Sequence, residues 1–147
     1  MKNKKVIIAI PAYNEEKTLG LVIDDINRVM KATRYNYKIQ VLNDGSKDNT
    51  EKISKSKGAL TYSHKRNKGL AETFKSEIHC ALKNKADIIV HTDADAQYCS
   101  EPIPLMITGK IKPDESNKFS EKQCQEGSLG TMWGYDLMKT LHKFYRD

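Results

Sequence analysis

The chain is 147 residues long, 38% hydrophobic and 30% charged, which describes one globular core and excludes a disordered polyelectrolyte. No apolar run approaches the ~20 residues that cross a bilayer, and the five-residue run after the basic start "MKNKK" is too short for a signal-peptide core. The net charge of +6 rests mainly on lysines scattered through the sequence, with no arginine-rich run, which argues against a nucleic-acid partner.

The elements follow in order. "KKVIIAI" (4–10) is a continuous apolar run, the pattern of a strand buried on both faces, and Pro11 stops it. Leu19, Val22, Ile23, Ile26, Val29 and Met30 then repeat at helical spacing, with Asn14 placed to cap that helix and Glu15 and Glu16 at its positive end. "YKIQVL" (37–42) predicts a second strand, broken by the turn-formers of "NDGSKDNT". A polar helix is expected over 50–57, closed by Gly58. "ALTYS" (59–63) reads as a weaker strand and "HKRNKG" as loop. The next helix sets Ala71, Phe74, Ile78, Ala81 and Leu82 on one face, and "ADIIVHT" (86–92) is a strand. Strands alternating with helices predict an α/β fold with a mostly parallel sheet.

Later residues differ in kind. "EPIPLMITGKI" allows a short helix after Pro102, residues 112–127 read as a polar loop, and 128–147 as an amphipathic C-terminal helix carrying Leu137, Leu141 and Phe144. No strong strand is expected after residue 92. The terminal helix, flanked by Lys139, Lys143 and Arg146, suits either packing on the sheet or a peripheral seat at the cytoplasmic membrane face. Cys80, Cys99 and Cys124 are odd in number without CxxC spacing, so free thiols in a cytoplasmic protein are expected.

In a parallel α/β sheet, ligands bind at the carboxyl ends of the strands, and four strands here end in polar loops: "PAYNEE", "NDGSKDN", "SHKRNKG" and "TDADAQ". Asp93 and Asp95 can present two carboxylates to Mg²⁺ or Mn²⁺, with Gln97 adding a carbonyl oxygen; capping or Asx turns are the alternative. Asn43 and Asp44 can meet a base edge or merely form a turn. Tyr13 suits stacking or packing, and Glu15 a ribose or the helix end. Lys65, Arg66 and Lys68 suit a diphosphate or plain solvent. His64, His79, His91 and His142 show no metal spacing and no triad partner, and His91 reads as a core histidine. Neither a P-loop nor a GxGxxG is present, which disfavours the common NTPase and dinucleotide folds.

Together "IPAYNEEKTLGLVI", "VLNDGSKDNT", "NKGLAETFKSEI" and "DADAQY" resemble the nucleotide-sugar half of family 2 glycosyltransferases, most of all the dolichyl- or polyprenyl-phosphate mannose and glucose synthases. The resemblance spans about residues 4–101. It implies a GT-A-like fold, with 1–111 as a nucleotide-sugar-binding domain, and hexosyl transfer from a GDP- or UDP-sugar to a polyprenyl phosphate or glycan. It implies donor contacts from Pro11, Tyr13, Glu15, Leu42, Asp44, Asp93, Ala94 and Asp95, and a cation, Mg²⁺ or Mn²⁺, on Asp93 and Asp95 with Gln97 nearby. No catalytic base is implied. Past Tyr98 the likeness fades: the strand that the family places downstream, with its arginine, is not found. A truncated, non-catalytic nucleotide-sugar-binding module is therefore the alternative, and a nucleotidyltransferase a further rival that lacks its glycine-rich N-terminal loop here.

Overall fold

The computed structural model describes residues 4–97, 99–108 and 133–136. Strand β1 (Lys5–Ala12) lies at the middle of a five-stranded sheet of order β3-β2-β1-β4-β5. It pairs in parallel with β2 (Asn36–Asn43) on one side and with β4 (Ile88–His91) on the other, and β2 pairs in parallel with β3 (Leu60–Ser63). Val6 to Ile10 are completely buried, as an unbroken apolar run sandwiched between helical layers requires.

One face of the sheet is dry. Val6, Ile8, Ile10 and Val90 pack on α1 (Leu19–Lys31), whose buried residues are Leu19, Val22, Ile23, Ile26 and Met30, and on α4 (Ile103–Ile107). The opposite face, Ile7, Ala9 and Ile89, meets α3 (Leu70–Lys83) through Ala81 with Ile78 and Leu82. There the expected stripe shifts: Ala71 is exposed, while Thr73 and Glu77 are buried. Helix α2 (Thr50–Ser56) ends where Gly58 adopts φ +75° and its N–H reaches the Lys55 carbonyl.

Asn14 does not cap α1, which starts five residues later. Its φ is +54°, and its side chain accepts from the Lys47 N–H instead. Residues 133–136, inside the helix expected over 128–147, form strand β5 (Trp133–Asp136), antiparallel to β4. The open hydrogen-bonding edge of β4 decides that pairing, a partner invisible to local periodicity. The polar loop expected over 112–127, and the rest of the expected terminal helix, lie outside the described residues. Cys80 is a free thiol, but Cys99 is disulfide-bonded, against the expectation of free thiols throughout.

Candidate functional site

Each parallel strand carries its ladder one bond past its end, which fixes the loops at the carboxyl rim. Asp44 N–H donates to the Ala12 carbonyl, His64 N–H to Asn43, and Thr92 N–H to Ala9. A pocket of about 240 Å³ opens where these loops meet. Pro11, Tyr13, Glu15, Asp44, Asp93, Ala94 and Asp95 line it, so seven of the eight residues singled out as donor contacts converge on one cavity. Leu42 does not: it is buried in β2 and borders a separate cavity against α3. Gln97 is exposed, outside the pocket lining, and its N–H donates to Asp95 Oδ1 at 3.1 Å, closing an Asx turn around the left-handed Ala96 (φ +62°).

The first two loops are laced together. Asn14 N–H donates to Ser46 Oγ, Glu15 N–H to Thr50 Oγ1 and Glu16 N–H to Asp48 Oδ2. In return Glu16 Oε2 accepts from both the N–H and the side-chain amide of Asn49. These bonds hold Tyr13 at the rim with 44% of its surface exposed, and Leu70 stands 70% exposed in the same lining. The two offer apolar surface to a flat or ring-shaped ligand.

Asp44 is more committed than a turn acid. Oδ1 accepts from Lys68 N–H (2.9 Å) and faces His64 Nδ1 (2.6 Å), while Oδ2 accepts from Gly69 N–H (2.9 Å). Burial pushes this carboxyl up, but the bonds from His64, Lys68, Gly69 and Thr73 outweigh it and hold the group below the usual carboxylate range. It thereby pins the start of α3, bringing Asn67, Gly69, Leu70 and Thr73 to the pocket wall. Sequence reasoning gave these four no role, although "NKGL" lay within the stretch that carried the resemblance. Lys65 and Arg66 do not line the pocket with the two aspartates. They border an adjoining depression of about 530 Å³ with Lys47 and Ser46, sharing Tyr13 and Asn67 as a wall.

Beside the Asp93–Asp95 loop lies a buried polar cluster that the sequence did not reveal. Glu77 is fully buried, and His91 Nδ1 stands 3.0 Å from its Oε2 without the alignment of a hydrogen bond. Burial raises the Glu77 carboxyl, against the pull of His91. Gln40 donates to the Glu77 carbonyl at 3.0 Å, and Phe74 meets the His91 ring edge-on. His91 is thus packed in the core as expected, but its Nδ1 has no hydrogen-bond partner among the described residues. His64, in contrast, gains the carboxylate partner its sequence context hid.

The sequence pattern of glycosyl transferase family 2 matches residues 7–120. The chain belongs to that family. It is 36% identical over 141 residues to the uncharacterized protein MJ1222 of Methanocaldococcus jannaschii, covering 95% of this chain and 54% of that one. It is 31% identical over 125 residues to the UDP-N-acetylglucosamine–dolichyl-phosphate N-acetylglucosaminyltransferase of Methanococcus voltae, covering 73% and 47%. The chain therefore spans about half the length of these curated relatives. Glucosyl-3-phosphoglycerate synthase of Mycobacterium tuberculosis superposes in two complexes. With Mn²⁺, UDP and glucosyl-3-phosphoglycerate the TM-score is 0.60 at 24% identity, covering 74% of this chain and 40% of that one. With Mg²⁺ and UDP it is 0.55 at 26% identity, covering 72% and 37%. The fold is accordingly α/β and GT-A-like, a four-stranded parallel sheet with flanking helices, to which β5 adds an antiparallel edge. Among the described residues no helix is long and apolar enough to cross a membrane.

Proposed function

We propose that this chain binds a nucleotide-diphosphate sugar, a UDP-sugar before a GDP-sugar, and presents it for hexosyl transfer. One observation carries the reading: three rim loops bring Tyr13, Glu15, Asp44, Asp93 and Asp95 to one pocket, and the loop after β3 adds Asn67 and Gly69. The nucleoside lies against Tyr13 and Leu70. Glu15, whose Oε2 accepts from Thr18, is placed to meet ribose hydroxyls. The pocket and the depression beside it, divided by Tyr13 and Asn67, together offer more room than the pocket alone, as a nucleotide with a sugar attached requires.

Asp93 and Asp95 would hold the divalent cation. No group of three or more His, Cys, Asp or Glu residues with metal-binding placement exists among the described residues. Two carboxylates are nonetheless the donor set that suits Mg²⁺ or Mn²⁺, which keep much of their shell for phosphate oxygens and water. When bound, such a cation supplies charge neutralisation to a departing diphosphate. UDP with Mg²⁺ or Mn²⁺ in the mycobacterial neighbour supports the donor, and the dolichyl-phosphate named for the M. voltae relative supports a polyprenyl-phosphate acceptor.

The test is calorimetric titration of UDP- and GDP-sugars with Mg²⁺ or Mn²⁺. Asp93→Asn and Asp95→Asn are each expected to weaken cation-dependent binding by about tenfold or more. A wild-type chain that binds no nucleotide sugar would sink the donor reading. The alternative reading is a binding module without turnover. Transfer of label from a radioactive donor to a polyprenyl phosphate decides between the two.

A further inference from the structure

The bonds that Asp44 makes continue past the loop it pins. His64 Nδ1 lies 2.6 Å from Asp44 Oδ1, and His64 Nε2 lies 2.9 Å from the hydroxyl of Ser76 on α3. An ionised carboxylate can only accept, so Nδ1 carries the ring proton. In the neutral imidazole Nε2 is then a bare acceptor, and Ser76 Oγ–H is its donor. Carboxylate, imidazole and hydroxyl stand in sequence, contributed by the end of β2, the end of β3 and the middle of α3. The side chains of His64 and Asp44 are only 10% and 6% exposed, which keeps water from competing for these bonds.

The hydroxyl also has somewhere to act. Ser76 and His64 line a cavity of about 380 Å³ with Leu42, Tyr62, Lys75 and His79, and neither Asp93 nor Asp95 borders it. A serine hydroxyl is a poor nucleophile until an adjacent base, itself oriented by a third group, can take its proton. We propose that Ser76 is a nucleophilic serine, activated by His64 under the hold of Asp44, and that this cavity accepts a small carboxylic ester. Ser76 Oγ bonds to the ester carbonyl carbon as its proton passes to His64 Nε2. The bond from that carbon to the alkoxy oxygen then breaks, and the departing alcohol takes the proton from His64. Water repeats the sequence on the acyl-serine and releases the carboxylic acid. The N–H groups around Ser76 are spent inside the helix, so side chains of this lining supply the donors for the transient oxyanion: the Lys75 ammonium, which also pairs with Glu72, the ring of His79 and the hydroxyls of Tyr62 and Ser63.

This site shares Asp44 with the proposed donor pocket, and His64 also borders the depression beside that pocket, but it is tested without any donor. The intact chain is incubated with an alkyl fluorophosphonate, which loses fluoride as the serine oxygen bonds to phosphorus, and the adduct is located by intact-mass and peptide mass spectrometry. One adduct per chain, on Ser76 and absent from Ser76→Ala, is expected. His64→Gln keeps an amide to bond both neighbours but has no base to take the proton, so labelling should slow by about 100-fold or more while the unfolding midpoint stays close to wild type. A wild-type chain left unlabelled under conditions that saturate a known serine hydrolase overturns the proposal. So does an adduct confined to other serines, or His64→Gln labelled at the wild-type rate.

Discussion

The rim has two halves built on opposite terms. On the β1–β2–β3 side the loops are cross-bonded through Asn14, Glu15, Glu16, Ser46, Asp48 and Thr50, and Asp44 clamps the start of α3. On the β4 side the Asp93–Gln97 loop turns, among the described residues, on one side-chain bond, from Gln97 N–H to Asp95 Oδ1. A pre-shaped wall loses little entropy when a nucleoside docks. Carboxylates that are to meet a cation, as proposed for Asp93 and Asp95, must instead keep oxygens free of the protein's own donors. Rigidity and availability are thus assigned to different strands of the same sheet.

Substitutions should expose that division. The largest loss of stability is expected from Gly45→Ala. Gly45 has φ +73°, and a Cβ there would stand 2.4 Å from the Arg66 carbonyl carbon, a backbone atom that cannot step aside. Left-handed strain and the clash together should cost about 3–5 kcal/mol, read from urea unfolding. If Gly45→Ala unfolds like wild type, the laced half is softer than its bonds imply.

Asp44→Asn should come next, at about 2 kcal/mol, because a neutral amide cannot replace every bond the carboxylate accepts. Its pH signature has a definite sign. A carboxyl held below its unfolded value contributes stability that is full above that value, near pH 4, and is lost as pH falls through the native one. The variant should therefore show a shallower acid limb below about pH 4. Asp93→Asn and Asp95→Asn, which weaken cation-dependent binding on the proposed reading, should move unfolding by no more than about 0.5 kcal/mol. A larger shift would mean that the open half is structural after all.

Local pattern revealed a good part of this. The apolar run of β1 and the stripe Leu19–Met30 need only their own residues to be read, and both fold as periodicity demands. The rim acids were legible because strand ends are where a parallel sheet places its ligands. What stayed hidden depends on partners. Trp133–Asp136 becomes a strand only because β4 offers an edge, and Glu77, spaced like a solvent-facing helix acid, is buried only because α3 lies on the sheet beside His91. The His64–Ser76 bond joins a loop to a helix 12 residues on, a distance at which no spacing rule operates.

The strand order also governs when the rim can exist during folding. β1, α1, β2, α2 and β3 follow one another and can assemble as neighbours. β4 must return to β1, where Lys5 N–H meets the Asp87 carboxylate across 82 residues of sequence. Closing so long a loop is the slow, entropically expensive step of such a topology. The wall of Tyr13 and Asp44 can therefore form early. The two aspartates arrive with the last parallel strand, so the cation affinity proposed for them should appear only after that strand has docked.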